Sequence, residues 1–209
     1  MKKIVSAFSA LLLCLALTGC SGTVGASVRK TGSGTEASSC GMKLSFPEDW
    51  TVLSGDDIYQ SLLDNNDTGY TDASELRKAY ESGGTSYVLY AENADRSAQI
   101  NMTALKPTED DISAGVMSLE DYARTNHNNS LLDWQMSGYT LENAVFESST
   151  AGNNEGWRSA CDVYLDGELI MGQVEFTFEY GGCFCSLQTY YHTPGAGEQA
   201  AQIISGITA

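Results

Sequence analysis

Gly41-Met42-Lys43-Leu44-Ser45-Phe46-Pro47-Glu48-Asp49-Trp50 alternates apolar and polar residues until a proline interrupts it. Met42, Leu44 and Phe46 share one face, the pattern of a half-buried strand. Pro47 turns the chain, and Trp50-Thr51-Val52-Leu53 reads as a short second strand returning from that turn. A strand with one apolar face needs sheet partners and a cover, and the rest of the chain supplies both.

Downstream, a helix is expected from about Asp56, with Ile58, Leu62 and Leu63 on one side. A second short helix from Thr71 or Asp72 carries Leu76 and Tyr80 and ends at Gly83-Gly84. Tyr87–Ala91 and Gln99–Leu105 read as strands joined in a hairpin. Ser118-Leu119-Glu120-Asp121 has the form of an N-cap with an acidic first turn, opening a helix with Leu119, Tyr122, Ala123 and Leu131. From Tyr139 the pattern becomes a meander: Ala144–Glu147, Gly156–Leu165, Leu169–Tyr180 and Cys183–His192. Asp166-Gly167 and Gly181-Gly182 are its tight turns. Pro194-Gly195 stops the last strand, and a final helix over 197–207 places Ala200, Ile203, Ile204 and Ile207 on one side. Hairpins dominate, so the expected class is α+β, an antiparallel sheet covered by helices.

Two segments carry a family resemblance, the opening Gly41–Trp50 stretch and the closing strand Phe184–His192 with the helix ending Ile203-Ile204-Ser205-Gly206-Ile207. In these the chain resembles the PsbP-like family, which occurs among bacterial surface lipoproteins. The resemblance implies an α/β/α sandwich and brings no catalytic residue with it.

At the other end, Lys2-Lys3 precede an apolar run, Ile4–Leu17, that is closed by Leu17-Thr18-Gly19-Cys20. The run is too short to span a bilayer, which takes roughly 20 residues, and its basic start and small-residue end read as a cleaved signal. The tetrad resembles a bacterial lipoprotein signal, which implies lipidation at Cys20. Residues 1–19 are thus expected to leave. Residues 20–39, rich in Ser, Gly, Thr and Ala, read as a lipidated cysteine and flexible tether. A single PsbP-like domain is expected over 40–209, held at the extracytoplasmic face of the cell membrane.

The formal charge is −16, and removing Lys2 and Lys3 takes it to −18. Such a surface repels phosphate backbones and anionic lipid, which disfavours nucleic-acid binding. With Cys14 lost and Cys20 lipidated, Cys40, Cys161, Cys183 and Cys185 are left to account for. Cys40, at the start of its strand, could reach Cys183 or Cys185 if the strands adjoin, with Cys161 a core thiol.

Asp64-Asn65-Asn66-Asp67-Thr68-Gly69-Tyr70-Thr71-Asp72-Ala73-Ser74-Glu75 has calcium-loop spacing. Asp64, Asn66, Thr68, Tyr70 (through its backbone), Asp72 and Glu75 would be the ligands. The plainer alternative is an interhelix loop in which Asp72 or Thr71 caps the next helix. Calcium is the only cofactor so implied.

For nucleophilic chemistry the chain has no Gly-x-Ser-x-Gly elbow. Cys185 and His192 stand an odd number of residues apart on one strand and so face opposite sides. Glu175 and Glu179 share a strand face, where alternation suggests solvated side chains rather than an acid/base pair. The chain therefore reads as a non-enzymatic, lipid-anchored module that binds a protein or an envelope component. The alternatives are a calcium-binding module using residues 64–75, and a hydrolase whose site no motif announces.

Overall fold

The computed structural model describes residues 24–65, 69–107 and 118–209. Two antiparallel sheets and four helices are formed among them. Strands β1 (Ser27–Thr31), β2 (Gly34–Ser39) and β3 (Met42–Phe46) make a three-stranded sheet in that order. The larger sheet has seven strands: β4 (Thr51–Ser54), β5 (Thr85–Glu92), β6 (Ala98–Leu105), β7 (Thr140–Ala151), β8 (Asn154–Leu165), β9 (Glu168–Tyr180) and β10 (Cys183–Tyr191). Their spatial order is β4-β5-β6-β10-β9-β8-β7, which puts the last strand of the chain at the centre. Helices α1 (Asp56–Asn65) and α2 (Ala73–Ser82) follow β4, α3 (Leu119–Met136) lies between β6 and β7, and α4 (Pro194–Ser205) closes the fold.

The α+β class is as expected, but the N-terminal part is not. The stretch expected as a tether up to Ser39 contains β1 and β2, and Thr35, Ala37 and Ser39 are buried. Small side chains without an apolar period concealed a strand that becomes stable by pairing. β2 runs beside β3, Ala37 opposite Leu44 and Thr35 opposite Phe46. The second correction concerns β3 and β4, expected to be one hairpin. Trp50 N–H does bond to Pro47 O, closing the turn at 3.2 Å. The strands then diverge into different sheets, because β3 takes β2 as partner and β4 takes β5.

One face of the large sheet carries the main core. Cys183, Cys185 and Leu187 of β10 join Phe176 and Phe178 of β9 and Ala98, Ile100, Met102 and Ala104 of β6. Ala196, Ala200 and Ile203 of α4 cover them, together with Met42, Leu44, Phe46 and Trp50. Helix α4 begins three residues before the expected start because Thr193 caps it and Pro194 occupies its first turn, where a missing N–H costs nothing. Gly172 makes room for the ring of Tyr191, its cross-strand neighbour on β10, since a Cβ there would meet that ring at 2.0 Å.

The opposite face is shared between two covers. Helices α1 and α2 pack against β4 and β5, with Tyr59, Tyr80 and Tyr87 forming a three-ring cluster. Helix α3 lies over β7, β8 and β9. Its C-terminal half, through Leu131 and Trp134, covers a second small core of Cys161, Val163 and Met171.

Because the small sheet is docked rather than trailing, a chain beginning at Cys40 should be markedly less stable than one beginning at Val24. Losing β1 and β2 uncovers Leu44 and Phe46, and a melting temperature lower by about 10 °C is expected by calorimetry. Equal melting temperatures would restore residues 24–39 to the role of a tether.

Candidate functional site

Strand pairing assigns side chains to the second face in rows that run across the sheet. One row is Tyr90, Asn101, Gln188, Glu175 and Ser159, contributed by β5, β6, β10, β9 and β8. Its neighbour is Tyr87, Thr103, Ser186, Thr177 and Trp157 on the same five strands. On the other side lie Glu92, Gln99, Tyr190, Gln173 and Cys161. Side chains directly opposite in adjacent strands sit about 5 Å apart, so each row is a continuous strip. The centre of this sheet, where apolar residues are the ordinary choice, is therefore polar. Asn101, Thr103, Ser159, Thr177 and Ser186 are all buried in it.

Glu175 is the charged member. It stands on the middle stretch of β9, half-buried, next to β10 at the sheet centre. Gln188 Nε2 donates to Glu175 Oε1 at 3.4 Å and Thr177 Oγ1 does so at 3.5 Å, both long for hydrogen bonds to a carboxylate. No ion pair to Glu175 is present among the described residues. Burial pushes its carboxyl above the ordinary value of 4.5, against the opposing effect of hydrogen bonds from Ser186, Gln188 and Thr177. Glu92, one row away, is different: Arg96 approaches it to 3.7 Å and Tyr90 Oη donates to it at 2.8 Å.

The tyrosines around the strip are held neutral. Burial, then the Glu175 charge, raises the Tyr190 phenol, and the same two causes raise Tyr122 of α3 to about 12. Asn101 Oδ1 is buried with no hydrogen-bond partner. Asn101 Oδ1, which has no partner, and the Glu175 carboxyl, whose bonds from Gln188 and Thr177 are long, are both acceptors when the acid is ionised. The strip thus offers more acceptor capacity than the protein satisfies. At its far end Ser130 of α3 accepts from Gln173 Nε2 at 2.7 Å, tying the helix to the row beside Glu175. Beyond Trp157, Phe146 stacks on that ring, with the Arg124 guanidinium 4.4 Å from the Phe146 centroid.

Alternation correctly assigns Glu175 and Glu179 to one face, but the expectation that both are solvated is corrected for Glu175. Glu179 is exposed at the end of β9, whereas Glu175 lies among buried polar side chains. A period-two pattern says which way a side chain points. It does not say that Tyr122 and α3, contributed from fifty residues upstream, will shield that side.

The other sequence-derived residues are placed as follows. Cys20 lies outside the described residues, as do Asn66 and Thr68 of the candidate calcium loop. The remaining loop residues flank the gap between α1 and α2. Asp64 accepts from Gln60 at 2.8 Å. Asp72 caps α2, accepting from Ser74 N–H at 2.7 Å and Glu75 N–H at 3.3 Å; the Ser74 side chain first, and then these backbone groups, hold its carboxyl below the ordinary range. Tyr70 is exposed, and Glu75 stands in the first turn of α2. Among the described residues, no group of three or more His, Cys, Asp or Glu side chains converges.

His192 falls just past β10, with Nδ1 2.8 Å from Ile170 O, and Cys185 is buried on the core face. His127 packs against Phe146 with the rings tilted by 32°, and burial lowers its pKa. Of the two cysteines offered as partners for Cys40, Cys185 places its sulfur 3.8 Å from that of Cys40. Cys161 is buried on the opposite face, its thiol pushed up to about 11 by burial.

No family model and no curated protein matches the chain. Among solved structures it is similar to the solution structure of PsbP from the cyanobacterium Synechocystis sp. PCC 6803. That match has a TM-score of 0.49 and 8% identity, over 93% of this chain and 98% of that one. It is also similar to LpqN of Mycobacterium tuberculosis, described as involved in cell envelope biogenesis. Here the TM-score is 0.43 and the identity 10%, over 80% and 82% of the two chains. A crystal structure from Bacteroides thetaiotaomicron VPI-5482 matches with a TM-score of 0.40 and 12% identity, over 80% of this chain and 44% of that one. At these identities no site residue carries across.

The raised Glu175 carboxyl makes stability depend on pH. The folded chain holds this proton to a higher pH than the unfolded chain, so the associated stability is complete below about 4.5 and is lost as pH rises through the raised value. Glu175→Gln keeps the shape and removes the ionisation. The variant should melt above wild type at neutral pH, and the difference should close as pH falls below 4.5 in thermal scans. A variant less stable at neutral pH would show that the carboxylate is satisfied where it stands.

Proposed function

We propose that this chain is a lipid-anchored extracytoplasmic binding module whose ligand seats on the polar strip between the α1–α2 pair and α3. The observation that carries this reading is the polar row Asn101–Gln188–Glu175 at the centre of a large sheet, in which the buried Asn101 Oδ1 has no partner and the half-buried Glu175 accepts long hydrogen bonds from Gln188 and Thr177. A buried polar group left without a partner costs about 1–3 kcal/mol. An apolar residue at Asn101 or Glu175 would avoid that cost, so the polar set is the feature of a site rather than of a core. Tyr87, Tyr90 and Tyr190, all half-buried, add flat apolar surface beside it. That combination suits a protein segment or an envelope component bearing hydrogen-bond donors. The reading assigns no catalytic group.

Anchoring rests on Leu17-Thr18-Gly19-Cys20 at the end of the apolar run. A single acyl chain binds a membrane marginally, whereas two chains hold stably. Among the described residues no helix is long and apolar enough to cross a membrane. With β1 starting at Ser27, the link between Cys20 and the folded part is short. The domain would then stand close to the lipid surface, and its strong negative charge would keep it from lying against anionic head groups.

Two substitutions test the parts separately. Cys20→Ser should move the chain from the membrane fraction to the soluble extracytoplasmic fraction, and retention in the membrane would contradict the anchor. A photo-crosslinking residue at Gln99, on the strip, should give an envelope adduct on intact cells that Asn101→Leu abolishes. The same residue at Gln202, exposed on α4, should give none. Adducts of equal yield at both positions would remove the strip as the binding surface.

A further inference from the structure

We infer that Cys40 and Cys185 are joined by a disulfide in the exported protein, stapling the small N-terminal sheet to the central strand of the large one. Their sulfurs are 3.8 Å apart and both side chains are buried. Closing that gap to a bond of about 2.05 Å takes a side-chain rotation and a small backbone adjustment.

The backbone at Cys40 argues for the same assignment. Ser39 pairs with Met42, so Cys40-Gly41 is a two-residue hairpin loop, with φ of 51° and 69°. Two other hairpins of the molecule use the same loop with positive φ at both positions: Asp166-Gly167 at 53° and 82°, and Gly181-Gly182 at 62° and 75°. There the first residue is Asp or Gly, types that this turn favours. Cysteine has no such backbone preference, and left-handed φ costs a residue with a Cβ on the order of 1 kcal/mol. What Cys40 supplies at this position is its sulfur.

The turn is also held in place. Asn154 Nδ2 donates to Cys40 O at 3.1 Å, and the Tyr180 ring lies 3.2 Å from where a Gly41 Cβ would be. Cys183 shares the face of Cys185 two residues earlier on β10, and Cys161 lies on the other face of the sheet.

The oxidant is a disulfide-bonded thiol oxidant of the extracytoplasmic space. The Cys40 thiolate attacks one sulfur of that disulfide and expels the other as a thiolate, giving a mixed disulfide. The Cys185 thiolate then attacks the Cys40 sulfur, forming the Cys40–Cys185 bond. The oxidant leaves as two thiols that take up the two protons released, and it accepts both electrons. Both sulfurs are buried in the finished fold, so exchange takes place while the N-terminal hairpin is still undocked.

The test uses the full chain recovered from the envelope of an exporting host, denatured without reductant, alkylated and mapped by mass spectrometry. Label is expected on Cys161 and Cys183, and on Cys40 and Cys185 only after reduction. Label on all four before reduction, or on Cys185 in place of Cys183, overturns the assignment. Cys40→Asn provides a second arm, because asparagine suits the turn and removes only the sulfur. Reductant should lower the wild-type melting temperature by about 10 °C and leave that of Cys40→Asn unmoved. An equal fall in both would overturn the proposal.

Discussion

The alternation of β10 at the centre of the large sheet is the constraint on which the rest depends. Cys183, Cys185 and Leu187 point to one side and Phe184, Ser186, Gln188 and Tyr190 to the other. Because β10 has a neighbour on each edge, this division propagates through β6 and β9 by register alone. A slip of one residue would exchange the faces and bury Gln188 and Glu175 in the main core. The polar strip and the sulfur contact with Cys40 are thus two consequences of one register, on opposite sides of one strand.

The two faces are finished differently. The core face is sealed by α4 and by β2 and β3, elements from opposite ends of the chain. Lys43 and Thr208 bond to each other through their backbones at 2.9 and 3.2 Å, tying those ends together. The second face is covered by helices at both flanks and carries its buried polar groups on the strands between them. Ligand contacts confined to that strip would leave the sealed core undisturbed. The cost of the arrangement falls on Asn101, whose Oδ1 is buried without a partner, and on Glu175, whose bonds from Gln188 and Thr177 are long.

Much of the architecture was legible in the sequence because it is written in local patterns. The alternation at Met42–Phe46, the Asp166-Gly167 and Gly181-Gly182 turns, and the Ser118 and Asp72 caps each need only a few adjacent residues. What was hidden depends on distant partners. Strand β2, Gly34-Thr35-Glu36-Ala37-Ser38-Ser39, has no apolar stripe, and its buried members are small enough to pass for linker. It is a strand because Met42–Phe46 lies beside it. Glu175 was placed on the correct face, yet its burial depends on Tyr122 and α3, which local alternation cannot report. The choice between Cys183 and Cys185 likewise waits on where the Cys40-Gly41 turn docks.

The claim that binds these observations is that Glu175 sits half-buried in a polar strip, with no ion pair among the described residues, rather than on a solvated sheet surface. Its side-chain carboxyl carbon, followed by NMR through a pH titration of the folded chain, reports this most directly. The account predicts a midpoint above the ordinary 4.5. A midpoint at or below that value would mean that the carboxylate is solvated or paired, and the strip would lose its standing as the site.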